Sequence, residues 1–230
     1  MMKSKNIFVV ALAVITVILT ACEKLPLQKT KKYETSFFQN NLNKSVLDFM
    51  ESRTDIFTGM LDAIDYVDED PAFNDVKKAF QSDGNTFLLL ADQATIALPS
   101  TVSYFGVNLV DDDNNPVTPM TAATSWRQYP REQIANLLRY HIVKGKRDFP
   151  NLTSTARWFD TFAISATNDS AKVRIFMTND RDGGIRINDY LGAPAVSLPR
   201  TPNLYATNGV VHVLNVFLRQ PTRLAITNNR

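Results

Sequence analysis

Apolar positions along the chain follow a helical period in the front half and a strand period in the back half. Residues 37–50 and 55–67 predict helices; in the second, Ile56, Phe57, Met60, Leu61 and Ile64 share one face, with Thr54 or Asp55 placed to cap its N-terminus. Residues 73–80 predict a short helix, Ser82-Asp83-Gly84-Asn85 a turn, and 86–90 a buried strand. Pro130 suits a first helical turn, and Ile134, Leu137, Leu138 and His141 follow at i, i+3, i+4 and i+7, with Gly145 read as the stop. Residues 161–166 and 173–178 alternate around Asn168-Asp169-Ser170 and predict a hairpin. Residues 185–188 and 195–198 are short strand candidates. Residues 209–218 close the sheet after Asn208-Gly209, a turn dipeptide whose residues both tolerate positive φ. Helices followed by strands, without βαβ alternation, predict an α+β fold.

One stretch breaks the pattern. Residues 98–129 hold Pro99, Asp111-Asp112-Asp113-Asn114-Asn115, Pro116 and Pro119, and read as a long irregular loop of the kind that often carries function.

Composition is that of an ordinary globular protein: 230 residues, 44% hydrophobic and 21% charged. The 25 basic and 23 acidic side chains leave a net charge of +2. Lys3 and Lys5 precede Cys22, so the remainder is balanced and gives no reason to expect nucleic-acid binding. Cys22 is the only cysteine, so no intramolecular disulfide can form.

The N-terminus has its own logic. Lys3 and Lys5 precede an apolar run over 7–19 that is broken only by Thr16, the proportions of a signal peptide rather than a membrane span. Leu19-Thr20-Ala21-Cys22 resembles a bacterial lipoprotein cleavage box. That resemblance implies a signal peptide over 1–21, cleavage before Cys22, and lipid attachment (palmitate and related chains) at Cys22. Residues 22–36 are Lys-rich and read as a flexible tether. Glu23 after the cysteine favours the outer membrane; the membrane face, periplasmic or surface, stays open.

Three motifs carry a second resemblance. Residues 206–218, ATNGVVHVLNVFL, place a turn Asn-Gly ahead of an aliphatic-His-aliphatic strand; residues 137–146, LLRYHIVKGK, hold a Tyr-His pair; residues 85–98, NTFLLLADQATIAL, match more loosely. In this order and spacing they resemble the fasciclin domain family. The resemblance implies one domain over 37–220, with N-terminal helices packed on a C-terminal β-sheet wedge, 98–129 as an expanded loop, and 221–230 as a C-terminal tail. It also implies adhesion or ligand binding rather than chemistry, and so no enzyme and no cofactor. The family's Tyr-His region maps onto Tyr140 and His141, proposed contacts to a partner. Asn208, Gly209 and His212 form its structural motif.

The residues themselves offer little catalysis. Cys22 is committed to lipid, no Gly-x-Ser-x-Gly occurs, and both histidines sit in apolar runs, where a hydrogen-bonded structural histidine is the ordinary reading. The Asp180 and Asp111 stretches lack the Gly and Glu an EF-hand needs, and two distant histidines without a thiol make no zinc site, so no metal is expected. Among the aromatics, Tyr104 and Trp126 lie in the irregular stretch and are expected to be exposed for binding. The expectation is a lipid-anchored envelope protein binding a protein or glycan, through a membrane anchor and without nucleic acid. Two alternatives stand beside it: an accessory part of an outer-membrane nutrient (glycan) uptake assembly, or a glycan hydrolase, which needs two carboxylates facing each other across a cleft.

Overall fold

Helix α1 (Val46–Glu51) begins with a capping box, in which Ser45 Oγ accepts from the Asp48 N–H and the Asp48 carboxylate accepts from the Ser45 N–H. The structure, a computed structural model, describes residues 40–98, 102–107, 122–178, 184–194 and 196–230. These fall in one unit, residues 39–230.

Helix α2 (Thr54–Asp68) buries Phe57, Met60, Ala63, Ile64 and Val67; the apolar face is the expected one, but Ile56 and Leu61 stay at its half-buried margin. Neither Thr54 nor Asp55 caps it. Arg53 is the N-cap residue, and its guanidinium holds the Asp55 carboxylate at 2.9 Å instead. The helix kinks at Phe57, and just past the kink the Gly59 N–H donates to Asp92 Oδ1 (2.7 Å). A Cβ at Gly59 would lie 2.3 Å from Thr95 Oγ1, so glycine is what lets α4 (Asp92–Thr95) press against α2. Helix α3 (Asn74–Gln81) follows a single 3-10 turn, Pro71–Phe73.

The main sheet has the order β2-β1-β7-β6. Strand β1 (Asn85–Leu90) is buried at every position and pairs in parallel with β7 (Gly209–Leu214), Asn85 opposite Gly209 and Leu90 opposite Leu214. Strand β2 (Ile142–Val143) is antiparallel to β1, and β6 (Thr201–Ala206) to β7. The sheet is therefore not wholly C-terminal: a strand from the helical half pairs with the last strand. A second, antiparallel sheet holds β3 (Arg157–Asp160), β4 (Lys172–Met177) and β5 (Ile185–Ile187).

Several expectations need correcting. Helix α6 (Arg131–Tyr140) stops before Gly145, because the β-branched Ile142 and Val143 leave it to pair with Phe87 and Thr86; Gly145 (φ +82°) serves the turn after β2. The first arm of the predicted hairpin lies at 157–160, not 161–166. Its adjacent aromatics, Trp158 and Phe159, hide the strand alternation. Strand β6 went unpredicted because Pro202 and Asn203 (φ +60°) interrupt it at a bulge. Residues 195–198 contribute one bridge, Ser197 to Ile187. The expected tail is instead helix α7 (Arg223–Asn228), joined to the small sheet where Trp158 Nε1–H donates to the Asn229 carbonyl (3.0 Å).

Candidate functional site

The three sequence motifs converge on the centre of the fold. The Asn208 side chain ties three elements together: its Oδ1 accepts from the Val46 N–H at the start of α1 (3.0 Å), and its Nδ2 donates to the Phe80 carbonyl near the end of α3 (2.9 Å). Its own carbonyl accepts from the Gly84 N–H (2.9 Å). Asn208 lies in the turn between β6 and β7, and neither it nor Gly209 uses the positive φ that both tolerate. Gly209 is needed for space instead, since a Cβ there would stand 2.4 Å from the Asn85 carbonyl and 2.7 Å from the Phe87 ring.

Both histidines are fully buried, and both ring nitrogens of each are occupied. His141 Nε2 accepts from the Leu218 N–H (3.0 Å), so its proton sits on Nδ1 and is donated to the Leu137 carbonyl (2.8 Å). His212 has the opposite tautomer: Nδ1 accepts from the Asn203 N–H (2.9 Å), and Nε2–H donates to the Arg147 carbonyl (2.9 Å). Desolvation pushes each imidazole down to about 4, so both are neutral at pH 7. Tyr140 is equally committed: its hydroxyl donates to the Lys172 carbonyl (3.0 Å) and accepts from Asn188 Nδ2 (3.1 Å). A direct-contact role for Tyr140 and His141 therefore fails, because neither reaches the surface; their polar atoms join helix α6 to the small sheet and to the chain after β7.

Tyr104 and Trp126 are also buried, 5% and 4% exposed, where exposure was expected. They form an aromatic cluster with Phe105, Tyr129 and Phe217, ring centroids 4.7–6.1 Å apart. Rings of this size stabilise most when removed from water, which drew the described ends of 98–129 into the core as helix α5 (Tyr104–Val107) and a 3-10 turn, Trp126–Gln128. Trp126 Nε1–H donates to the Gly59 carbonyl (2.8 Å). Burial raises the Tyr104 phenol to about 12. Cys22 and the two acidic stretches at 111–113 and 180–182 lie outside the described residues.

Beside this cluster lies a groove of about 570 Å³. Trp126, Phe105, Ile96 and Leu98 supply its apolar lining; Asp62 and Asp65 from α2, and Glu69 at its C-cap, supply its carboxylates. At one end Arg127 and Arg131 both bind Glu69 and both lie over the Tyr66 ring, 5.5 and 4.6 Å from its centroid. Sequence reading located the neighbourhood of this groove through Trp126; the spacing of Asp62, Asp65 and Glu69 signals its acidic wall only once that face is known to border a cavity.

A scan of protein-family models matches the Fasciclin domain over residues 72–221. The chain belongs to the fasciclin domain family, whose members are typically adhesion-type modules. Helices α1 and α2 precede the matched region and complete its core. Among solved structures the chain is similar to a FAS1 domain pair from the insect cell adhesion molecule Fasciclin I, at 16% identity and a TM-score of 0.44, over 75% of this chain and 49% of that one. The chain thus spans about half the length of that structure. No curated protein matches.

Proposed function

We infer that this protein is a non-catalytic adhesion or ligand-binding module, held in a bacterial envelope by lipid at Cys22 and recognising a protein or glycan. The observation that carries the non-catalytic reading is the state of its two histidines. A general base needs a free lone pair facing a cavity, and each imidazole here spends its lone pair on a backbone N–H inside the core. The groove does not supply the pair of opposed carboxylates a glycan hydrolase needs, because its three carboxylates all lie along one wall, on α2 and its C-cap. What the described surface offers is a groove with an apolar lining and a charged wall, the form of a binding site.

The anchor reading rests on the basic start, the apolar run and the placement of the sole cysteine. Two acyl chains make such anchoring stable, at about 0.8 kcal/mol per buried methylene. The test is metabolic labelling with palmitate together with membrane fractionation, comparing the native chain with Cys22→Ser. Label and sedimentation with membranes in the native chain, both lost in the variant, are expected; an unlabelled native chain would refute the anchor. Binding is tested separately by probing glycan and protein arrays with the native chain in detergent. Specific capture is the expected result, and a blank on both arrays refutes the array-ligand reading.

A further inference from the structure

We propose that the α2 groove is a docking site for an arginine side chain of a partner protein. This rests on the binding-module reading and specifies its ligand.

The groove shows the required chemistry at one end already. The Tyr66 ring on α2 and the Glu69 carboxylate at its C-cap, three residues apart, bind two arginines of the chain itself: Arg127 and Arg131 reach the carboxylate and lie over the ring. Nearer the start of α2 two further carboxylates, Asp62 and Asp65, face the groove, and among the described residues only Lys77 stands beside them. Asp62 and Asp65 project from the same face as Tyr66 and Glu69, at i, i+3, i+4 and i+7. They border Trp126, Phe105, Ile96 and Leu98 in one cavity. Asp62 has no cationic partner among the described residues, and Asp65 has only Lys77 at 3.6 Å, which also serves Asp68 at 2.9 Å. Desolvation and the neighbouring Asp65 raise the Asp62 carboxyl above its usual range, the mark of a negative charge short of a counter-ion.

The apolar lining decides between cations. A hydrated metal ion gains nothing from Leu98, which is 45% exposed, or from the aromatic rings. A guanidinium on a three-carbon stem uses both kinds of lining: the stem covers Leu98 and Ile96 while the planar head meets the carboxylates. The volume, about 570 Å³, is larger than one side chain needs, so a short stretch of the partner's backbone fits with it. The partner segment is therefore basic and carries an arginine flanked by apolar or small residues.

The test uses the full chain in detergent micelles with its tryptophans 15N-labelled. Only Trp126 and Trp158 give indole signals. Trp126 lines the groove, whereas Trp158 bonds to the C-terminal end of the chain and serves as the internal control. The probe is Nα-acetyl-arginine methylamide, with the corresponding glutamate derivative and calcium chloride as separate titrations. A saturable shift of the Trp126 signal alone, with a Kd of about 1–10 mM, is expected for the arginine probe. It should weaken by about fivefold or more in Asp62→Asn/Asp65→Asn, a change at two exposed positions. No response to the arginine probe, an equal response to the glutamate probe, or an unchanged affinity in the double variant overturns the proposal, as does a Trp126 response to calcium only. Protein capture on the arrays with no arginine response would overturn this inference and leave the binding-module reading standing; a blank on both would remove the two together.

Discussion

The two buried histidines make stability depend on pH, and the size of that dependence follows from their environment. In the folded chain each titrates near 4, against about 6.5 in an unfolded chain. The folded value is the depressed one, so the unfolded chain takes up the proton first on acidification. The stability contributed by a neutral buried histidine is therefore complete above pH 6.5 and is lost as pH falls from about 6.5 towards 4. Each unit is worth about 1.36 kcal/mol, so at pH 5 the loss is about 2 kcal/mol per histidine and about 4 kcal/mol for the pair. That is a large share of the roughly 5–15 kcal/mol that a domain of this kind has in total. Protonation also carries a local penalty, since it would turn the acceptor nitrogen towards a backbone N–H, Leu218 in one case and Asn203 in the other.

Other groups leave this window largely clear. Asp55, Glu69 and Asp75 are held below the usual carboxylate range by hydrogen bonds from Arg53, Arg127 and Arg139, so their contribution is lost only at lower pH. Asp62 and Asp92, raised by desolvation, act in the opposite sense and blunt the acid effect slightly. Urea denaturation at pH 7.5, 6 and 5, followed by tryptophan fluorescence, measures the sum. The native chain should lose about 4 kcal/mol between pH 7.5 and 5; His141→Gln and His212→Gln should each start lower but lose only about 2 kcal/mol over that range. A flat profile in the native chain, or an undiminished slope in either variant, would refute neutral burial of the histidines.

Further substitutions probe the scaffold through the same denaturation assay. Gly209→Ala places a methyl against the Asn85 carbonyl and the Phe87 ring, both far inside contact distance, and should cost about 1–3 kcal/mol or more. Asn208→Ala removes the bonds to Val46 and Phe80 and leaves a buried N–H and carbonyl unpaired; a loss of about 2–4 kcal/mol is expected, with partial recovery in Asn208→Asp, which keeps only the acceptor. Tyr140→Phe should cost about 1–3 kcal/mol by leaving the Lys172 carbonyl without its tyrosine donor and Asn188 Nδ2 with only the Arg219 carbonyl, and a change under half a kcal/mol would show the hydroxyl to be dispensable.

How far the sequence disclosed this fold depends on where local signals and tertiary constraints agree. Strand β1 was legible because it is buried on both faces, and a continuous apolar run is what such a strand requires. Helix α2 was legible because one face meets the sheet and the other meets water. Strand β6 was not, since Pro202 and a left-handed Asn203 contradict strand propensity locally. Asn203 is retained because its N–H reaches His212 and its Oδ1 accepts from the Phe149 N–H (2.8 Å), a long-range benefit that no window of sequence contains. The motif residues show the same division. Their positions could be read, and Asn208 does lie in the turn between β6 and β7, but local sequence did not disclose the long-range bond set of Asn208 or the tight parallel strand contact of Gly209. For the candidate site the aromatic signal misled in a specific way. A ring in an irregular stretch can point either way, and here Tyr104 and Trp126 pack on each other, on Phe105 and Tyr129 of the same stretch, and, through Tyr104, on the distant Phe217. With the rings buried, recognition passes to what stands beside them, the carboxylates of Asp62, Asp65 and Glu69. The acidic face borders a cavity only because Gly59 and the Trp126 bond to its carbonyl bring the aromatic cluster against α2, a contact separated by 67 residues in the chain. A substitution at Gly59 should therefore disturb the groove as well as the core.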